Sequence, residues 1–188
     1  MDIELNNDFY TAKVGIFGYF SLCLRYKTGF RARSLTNPMR IVIQRCTRAS
    51  VSIGGRLHAS TGKGLMVLVG VECGDSPDDA RWLADKTAAL RIFDDDQGVM
   101  NRSILDTGGE VLAVSQFTLT ASTRKGNRPS YIRAAREPES RPLYDLYCSL
   151  LGQRLGREVK CGVFGADMQV ELVNDGPVTI IIDSRLKE

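Results

Sequence analysis

The segment Ser115-Gln116-Phe117-Thr118-Leu119-Thr120 closes an apolar run and places three hydroxyls and an amide at the end of an expected strand. Two kinds of chemistry fit it. Backbone N–H groups at a strand end could hold an oxyanion as it develops on an attacked carbonyl. Thr118 could instead be a nucleophile, but a threonine hydroxyl needs an activating base, and none is evident. Hydroxyls in strands are commonplace, so the segment alone decides nothing. The rest of the chain narrows the choice. His58 is the only histidine, which leaves little room for a Ser-His-Asp arrangement or a His-ligated metal. The sequence has no glycine-rich phosphate loop, no paired catalytic carboxylates and no metal cluster.

A second unusual stretch is 167–183, DMQVELVNDGPVTIIID. Met168, Val170 and Leu172 alternate with polar residues, and residues 178–182 are β-branched throughout, so each half reads as a strand. Asn174-Asp175-Gly176 supplies a turn signal, and the expectation is a hairpin. Pro177 cannot donate to a ladder, which puts it at an edge or at the start of the second strand. A Gly-Pro bond also has an accessible cis form, about 0.5–1 kcal/mol above trans. Between the two stretches, residues 121–138 are loop-like and basic. Arg124, Lys125, Arg128, Arg133 and Arg136 follow a strand end, where they form a candidate phosphate-facing patch.

The elements that must position these residues belong to one domain. A chain of 188 residues with 43% hydrophobic content can bury one sizeable core. Of 25 basic and 22 acidic side chains, five and three fall in residues 1–38, which leaves 20 and 19 in the remainder. So balanced a body excludes a broadly nucleic-acid-coated protein, and any RNA contact must be local. Five scattered cysteines without a Cys-x-x-Cys pair fit a reducing compartment and no disulfide framework. Residues 1–38 do not match the rest: a short apolar run at 14–24 and four basic residues suggest an extension, with a weak organelle-targeting flavour, before a domain that opens at Met39.

From Met39 the pattern is regular. Ile41-Val42-Ile43 begins a strand, and residues 49–53 and 56–60 form a hairpin around Gly54-Gly55. Residues 65–71 are continuously apolar, as in a strand buried on both faces. Ser76-Pro77-Asp78-Asp79 is a helix start, and the helix should run to Arg91 with Ala80, Leu83, Thr87 and Leu90 inward. Residues 110–120 read as a central strand. A second helix is expected over 140–156, with Leu143, Tyr147, Leu151 and Leu155 in its apolar stripe. Two main helices and about eight strands make an α/β fold, a single three-layer domain over 39–188 built on a mixed sheet.

Taken together, SQFTL at 115–119 and NDGPVT at 174–179 resemble the D-aminoacyl-tRNA deacylases of the D-Tyr-tRNA deacylase type. The resemblance covers residues 39–184 and includes MRIVIQR, LRIFDD, MNRS, GGEVLAVSQFTL, TRKGNRPS and FGADMQVELVNDGPVT. It implies a cytoplasmic homodimer with active sites at the subunit interface, where the sheet is barrel-like, and no metal or cofactor. It further implies that Gly176-Pro177 is a cis peptide inserted into the partner's site and supported by Arg45. Ser115, Gln116, Phe117 and Thr118 would form the opposite wall, with backbone donors near Gln116 and Phe117. Ala134 would line the pocket, and Phe164 and Met168 would pack near the terminal adenosine of tRNA. The implied reaction is hydrolysis of the ester joining a D-amino acid, or glycine, to tRNA, assisted by the tRNA 2′-hydroxyl. The alternatives are a non-catalytic nucleic-acid module using residues 124–136 and a small-metabolite hydrolase of similar shape.

Overall fold

The computed structural model describes residues 39–186. The expected extension over 1–38 therefore lies outside the described residues. The organising element is β1 (Arg40–Ile53). It turns at Gly54-Gly55, both at positive φ (55° and 74°), as a two-residue hairpin requires. The chain returns through β2 (Arg56–Thr61) and, after a two-residue break, β3 (Gly64–Gly70). β2 pairs with the end of β1 and β3 with its beginning, both antiparallel.

α1 (Pro77–Ala89) then crosses over, β4 (Phe93–Asp94) and β5 (Met100–Arg102) form a small hairpin, and α2 (Ile104–Thr107) adds one turn. β6 (Glu110–Ser115) lies parallel to β3. A 3-10 turn (Phe117–Thr120) and a loop lead to α3 (Glu137–Leu155), then β7 (Lys160–Cys161), parallel to β6. β8 (Gln169–Asp183) covers the free side of β1.

The sheet separates two cores. In β3, Leu65, Val67 and Val69 face the helices while Met66 and Leu68 face the other way; in β6, Val111 and Ala113 oppose Leu112 and Val114. This alternation is the period of a strand buried on both faces, as expected from the apolar run at 65–71. α1 and α3 cover the first face, joined by a buried hydrogen bond between Thr87 Oγ1 and Tyr147 OH (3.0 Å). Over the second face curl β2 and the first half of β8, giving the sheet its barrel-like form and the domain its third layer.

The helices follow their sequence signals with shifted ends. At the start of α1, Ser76 and Asp79 form a reciprocal capping box with Pro77 in the first turn. The helix stops at Ala89, since Leu90 is already extended. α3 begins at Glu137, three residues before the expected start. Pro138 sits in the first turn, where backbone N–H groups have no helical partner to lose. Its end is marked by Gly156 at φ 63°, a position that favours glycine.

Two expectations fail. Residues 110–120 are not one strand: β6 stops at Ser115 and the chain tightens into the 3-10 turn. Nor is 167–183 a hairpin. Both halves of β8 pair with β1 in the same antiparallel sense, Leu172 with Ala49 and Thr179 with Gln44. Between the pairs Gln44↔Thr179 and Cys46↔Asn174, β8 carries three residues more than β1. The turn signal Asn174-Asp175-Gly176 is spent on this bulge, which contains the cis Gly176-Pro177 bond.

Asn174 pinches the bulge shut. Its side-chain oxygen accepts from the Val178 N–H (2.8 Å), and its amide nitrogen donates to the Val178 carbonyl (3.4 Å). A second irregularity follows at once, one residue of β1 between the pairs Cys46↔Asn174 and Arg48↔Val173, and across the two both strands change the core they face. Met168, Val170 and Leu172 thus serve the second core, while Val178, Ile180 and Ile182 serve the first.

Candidate active site

The carboxyl ends of parallel strands β3 and β6 open into a cleft of about 560 Å³. Ligands commonly sit at such strand ends. The Gln116 N–H donates to the Val69 carbonyl (2.7 Å), extending the ladder one residue beyond β6. The chain then turns over Gly70. A Cβ there would lie 2.9 Å from Leu119 Cβ and 3.1 Å from the Gln116 carbonyl oxygen, so only glycine lets the turn approach so closely. Leu119 N–H donates back to Gln116 O (3.3 Å), and Thr120 Oγ1 donates to Phe117 O (2.8 Å).

Of the two expected backbone donors, Gln116 is therefore committed to the ladder. Phe117 opens the 3-10 turn, a place where the N–H has no partner within the helix. The Thr118 hydroxyl accepts from Gln116 Nε2 at 2.6 Å. This contact orders the hydroxyl but provides no base. His58 stands exposed on β2.

The cleft gathers most of the expected site. Ser115, Gln116 and Phe117 form one wall and Ala134 another, with Phe164 and Met168 at the far side. Thr118 touches the site through Gln116 rather than lining the cleft itself. Ala134 is held by an isolated bridge to Glu72 and by its N–H donating to Tyr131 O (3.0 Å). Phe164 tilts against Tyr144, ring centroids 5.8 Å apart. The Tyr144 hydroxyl donates to Ala113 O (2.9 Å), and burial pushes this phenol far above its ordinary range, so it remains a neutral donor. At the mouth, Tyr131 meets Phe117 edge-on at 5.1 Å.

The basic segment divides. Arg124, Lys125 and Arg128 are exposed, and exposed Arg136 lines the cleft. Arg133 is turned inward: its guanidinium donates to Thr120 O from Nε (3.2 Å) and Nη2 (2.9 Å) and lies 3.7 Å from Glu72. It is thus committed to the turn in a way that the four exposed cations are not. Sequence reading missed this partnership, whose one signal was an acid, Glu72, ending an apolar strand.

Gly176 and Pro177 do not reach the cleft. They are exposed on the β8 bulge, opposite the middle of β1. Arg45, only 6% exposed, supports them from behind. Its Nε donates to Asp175 O (3.0 Å), and its Nη1 donates to Ile92 O (2.8 Å) and Asp94 Oδ1 (3.1 Å). Arg45 thus holds the residue before Gly176, while the bulge and the cleft of one chain stay apart.

Comparison with known proteins places this architecture. Residues 42–183 match the family model for D-Tyr-tRNA(Tyr) deacylase. A D-aminoacyl-tRNA deacylase of Bacteroides thetaiotaomicron is 58% identical over 150 residues, spanning 80% of this chain and 100% of that protein. One from Porphyromonas gingivalis is 59% identical over the same shares. Among solved structures, c-Myc DNA Unwinding Element Binding Protein superposes with a TM-score of 0.73 at 38% identity, covering 77% of this chain and 98% of that one. A probable eukaryotic D-amino acid tRNA deacylase, at 16% identity, TM-score 0.68 and the same coverage, shares the fold. By its family model and by relatives well over half identical along their full length, this chain belongs to the D-Tyr-tRNA(Tyr) deacylase family.

Proposed function

We propose that this chain hydrolyses the ester between a D-amino acid and its tRNA, releasing free D-amino acid and tRNA, and rejects L-aminoacyl esters. Glycyl esters, including glycine mischarged on alanine tRNA, fall within the same activity. The observation that carries this reading is the Phe117 turn at the head of a cleft walled by aromatic and small side chains. An aminoacyl ester is already activated, so positioning and a donor for the oxyanion matter more than a strong base.

In this mechanism water attacks the ester carbonyl, and the Phe117 N–H stabilises the tetrahedral oxyanion. The terminal 2′-hydroxyl of the tRNA assists proton transfer, and the 3′-oxygen leaves. Gln116 and Thr118 hold the turn, Ser115 and Ala134 bound the acyl pocket, and Phe164 and Met168 flank the adenosine. Chirality is read by the Gly176-Pro177 main chain of a second copy, entering beside the α-carbon. That a single chain keeps its bulge and cleft apart supports such a homodimeric site. Sterics at this wedge exclude an L-side chain, whereas glycine passes.

The reading places the protein in the cytoplasm. Among the described residues no helix is long and apolar enough to cross a membrane. Residues 1–38 are proposed to be dispensable, so a chain starting at Met39 should fold and deacylate.

The test is turnover of D-tyrosyl- and L-tyrosyl-tRNA by purified protein, with sedimentation at the assay concentration. Hydrolysis of the D-form alone by a dimer is expected. Salt-dependent nucleic-acid binding without ester turnover would support a binding module instead, the kind of role that the name of one structural neighbour suggests for that neighbour. Equal turnover of an ester lacking the tRNA end would point to a small-metabolite hydrolase.

A further inference from the structure

We infer that Arg133, anchored by buried Glu72, is a positioning residue that sets the Phe117 turn for catalysis. The inference rests on the deacylase reading above. Glu72 is 2% exposed and follows Val71, just past the end of β3. Arg133 is fastened to that strand end by both main chain and side chain. Its carbonyl accepts from the Cys73 N–H (2.9 Å), its neighbour Ala134 bridges Glu72, and the Ala135 N–H donates to Val71 O (3.0 Å). From this base the guanidinium spans to the 3-10 turn. Two of its donors converge on Thr120 O, and Nη2 also reaches Ala121 O at 3.5 Å.

Thr120, fully buried, returns the constraint to the reactive end by donating its hydroxyl to Phe117 O (2.8 Å). The chain of contacts is therefore Glu72, Arg133, Thr120, Phe117. A second arginine acts alongside it: Arg40 donates to Leu119 O (3.1 Å) and is itself paired with Asp183 at 2.6 Å. Both cations sit at the carbonyl end of the turn, the end where positive charge is favoured. They oppose the end that presents the Phe117 N–H.

An ion pair with one buried and one part-exposed partner, as here, contributes little net stability. What the Glu72–Arg133 pair adds is direction. A planar fork with two donors on one carbonyl restrains that carbonyl in a way that a flexible chain cannot. Oxyanion donors act within a narrow range of distance, so a shift of the turn is felt in the rate. The same pair holds Ala134, which ties the acyl-pocket wall to the donor opposite.

The test compares full-length wild type with Arg133→Met, Arg133→Lys and Glu72→Gln. D-tyrosyl-tRNA turnover is measured at a temperature where each protein is shown folded. Arg133→Met should lower kcat about tenfold to a hundredfold, with KM within about twofold of wild type because substrate contacts persist. Arg133→Lys, which keeps the charge but not the fork, should fall between. A surface control, Arg154→Met, removes the Asp85 pair on α3 and should leave both constants unchanged.

Folded Arg133→Met with wild-type kcat would overturn the inference. A change confined to KM would do the same, by making Arg133 an RNA contact. Failure of all three variants to fold would reduce the pair to a structural role. If wild type itself does not hydrolyse D-tyrosyl-tRNA, the deacylase reading fails first, and that is seen before any variant is compared.

Discussion

Arg45 Nε and the carbonyl oxygen of Asp175 lie 3.0 Å apart across 130 residues of chain. The guanidinium sits beneath the β8 bulge, and the Asp175 carboxylate approaches the same nitrogen at 3.4 Å. An exposed two-residue segment, Gly176-Pro177, is thus supported by one of the few buried charges in the domain.

This support bears on Gly176→Ala. Gly176 has φ 133°, where a side chain is disfavoured, and an added Cβ would lie 2.7 Å from Val178 Cγ2 and 3.3 Å from Arg45 Nη2. Strain of about 1–3 kcal/mol is expected, within the margin of about 5–15 kcal/mol typical of a stable domain. The variant should stay folded and keep the wild-type oligomeric state while D-tyrosyl-tRNA turnover falls by about a hundredfold, the cost of a displacement near 1 Å. Undiminished D-activity with L-rejection intact, in a protein whose melting curve shows it folded, would place chiral selection elsewhere.

Thr118→Ala should retain substantial turnover. Its hydroxyl accepts from the Gln116 amide, a group that cannot act as a base. A substrate lacking the terminal 2′-hydroxyl should instead lose turnover in wild type. Trapping of an acyl-enzyme on Thr118 by mass spectrometry would sink this view.

Asp75 should make stability depend on pH. Burial pushes its carboxyl from 3.8 up to about 7, outweighing the Glu72 N–H bond and the Arg185 charge, both of which lower it. The folded state therefore favours the protonated acid. The destabilisation is absent below the ordinary carboxylate range, grows as pH rises, and is complete above about pH 7. Asp75→Asn keeps an oxygen for the Glu72 N–H but cannot ionise. The loss of melting temperature between about pH 5.5 and about pH 8 should be smaller in Asp75→Asn than in wild type. Parallel curves for the two proteins would show that Asp75 does not titrate in this window.

Gly64→Ala should destabilise the sheet. An added Cβ would stand 2.6 Å from the Glu110 nitrogen and 2.8 Å from its carbonyl carbon, at the first pair of β3 and β6. Neither strand can yield without loss of pairing, and a cost of at least about 1–3 kcal/mol is expected. At Gly62 the nearest atom to an added Cβ is Glu110 Oε2 at 3.4 Å, so Gly62→Ala should melt near wild type. Equal melting of both variants would mean that the strand pair is not the constraint.

Much of the fold was legible because its causes are local. The capping box at Ser76 and Asp79, the turn at Gly54-Gly55 and the doubly buried β3 each follow from residues within a few positions of one another. The two hallmark motifs were visible for the same reason, and with them the family.

Where the sequence misled, a local signal had two possible tertiary uses. Asn174-Asp175-Gly176 can close a hairpin or form a bulge. The length of β1 decided, because its 14 residues give both halves of β8 a ladder in one direction. The segment 116–120 tightened into a turn because Gly70, on a different strand, leaves room for it.

The site itself belongs to the tertiary level. Ser115, Ala134, Phe164 and Met168 meet only because two crossovers return the chain to the same strand ends. Arg133 looked like one more surface cation until Glu72 and Thr120 O turned it inward. Residue type and spacing determine which chemistry and which local turns are available. Which groups share a cleft, and which are held apart as Gly176-Pro177 and the Phe117 turn are here, depends on contacts between distant segments. Those contacts are set by packing and register, which no short stretch of sequence encodes alone.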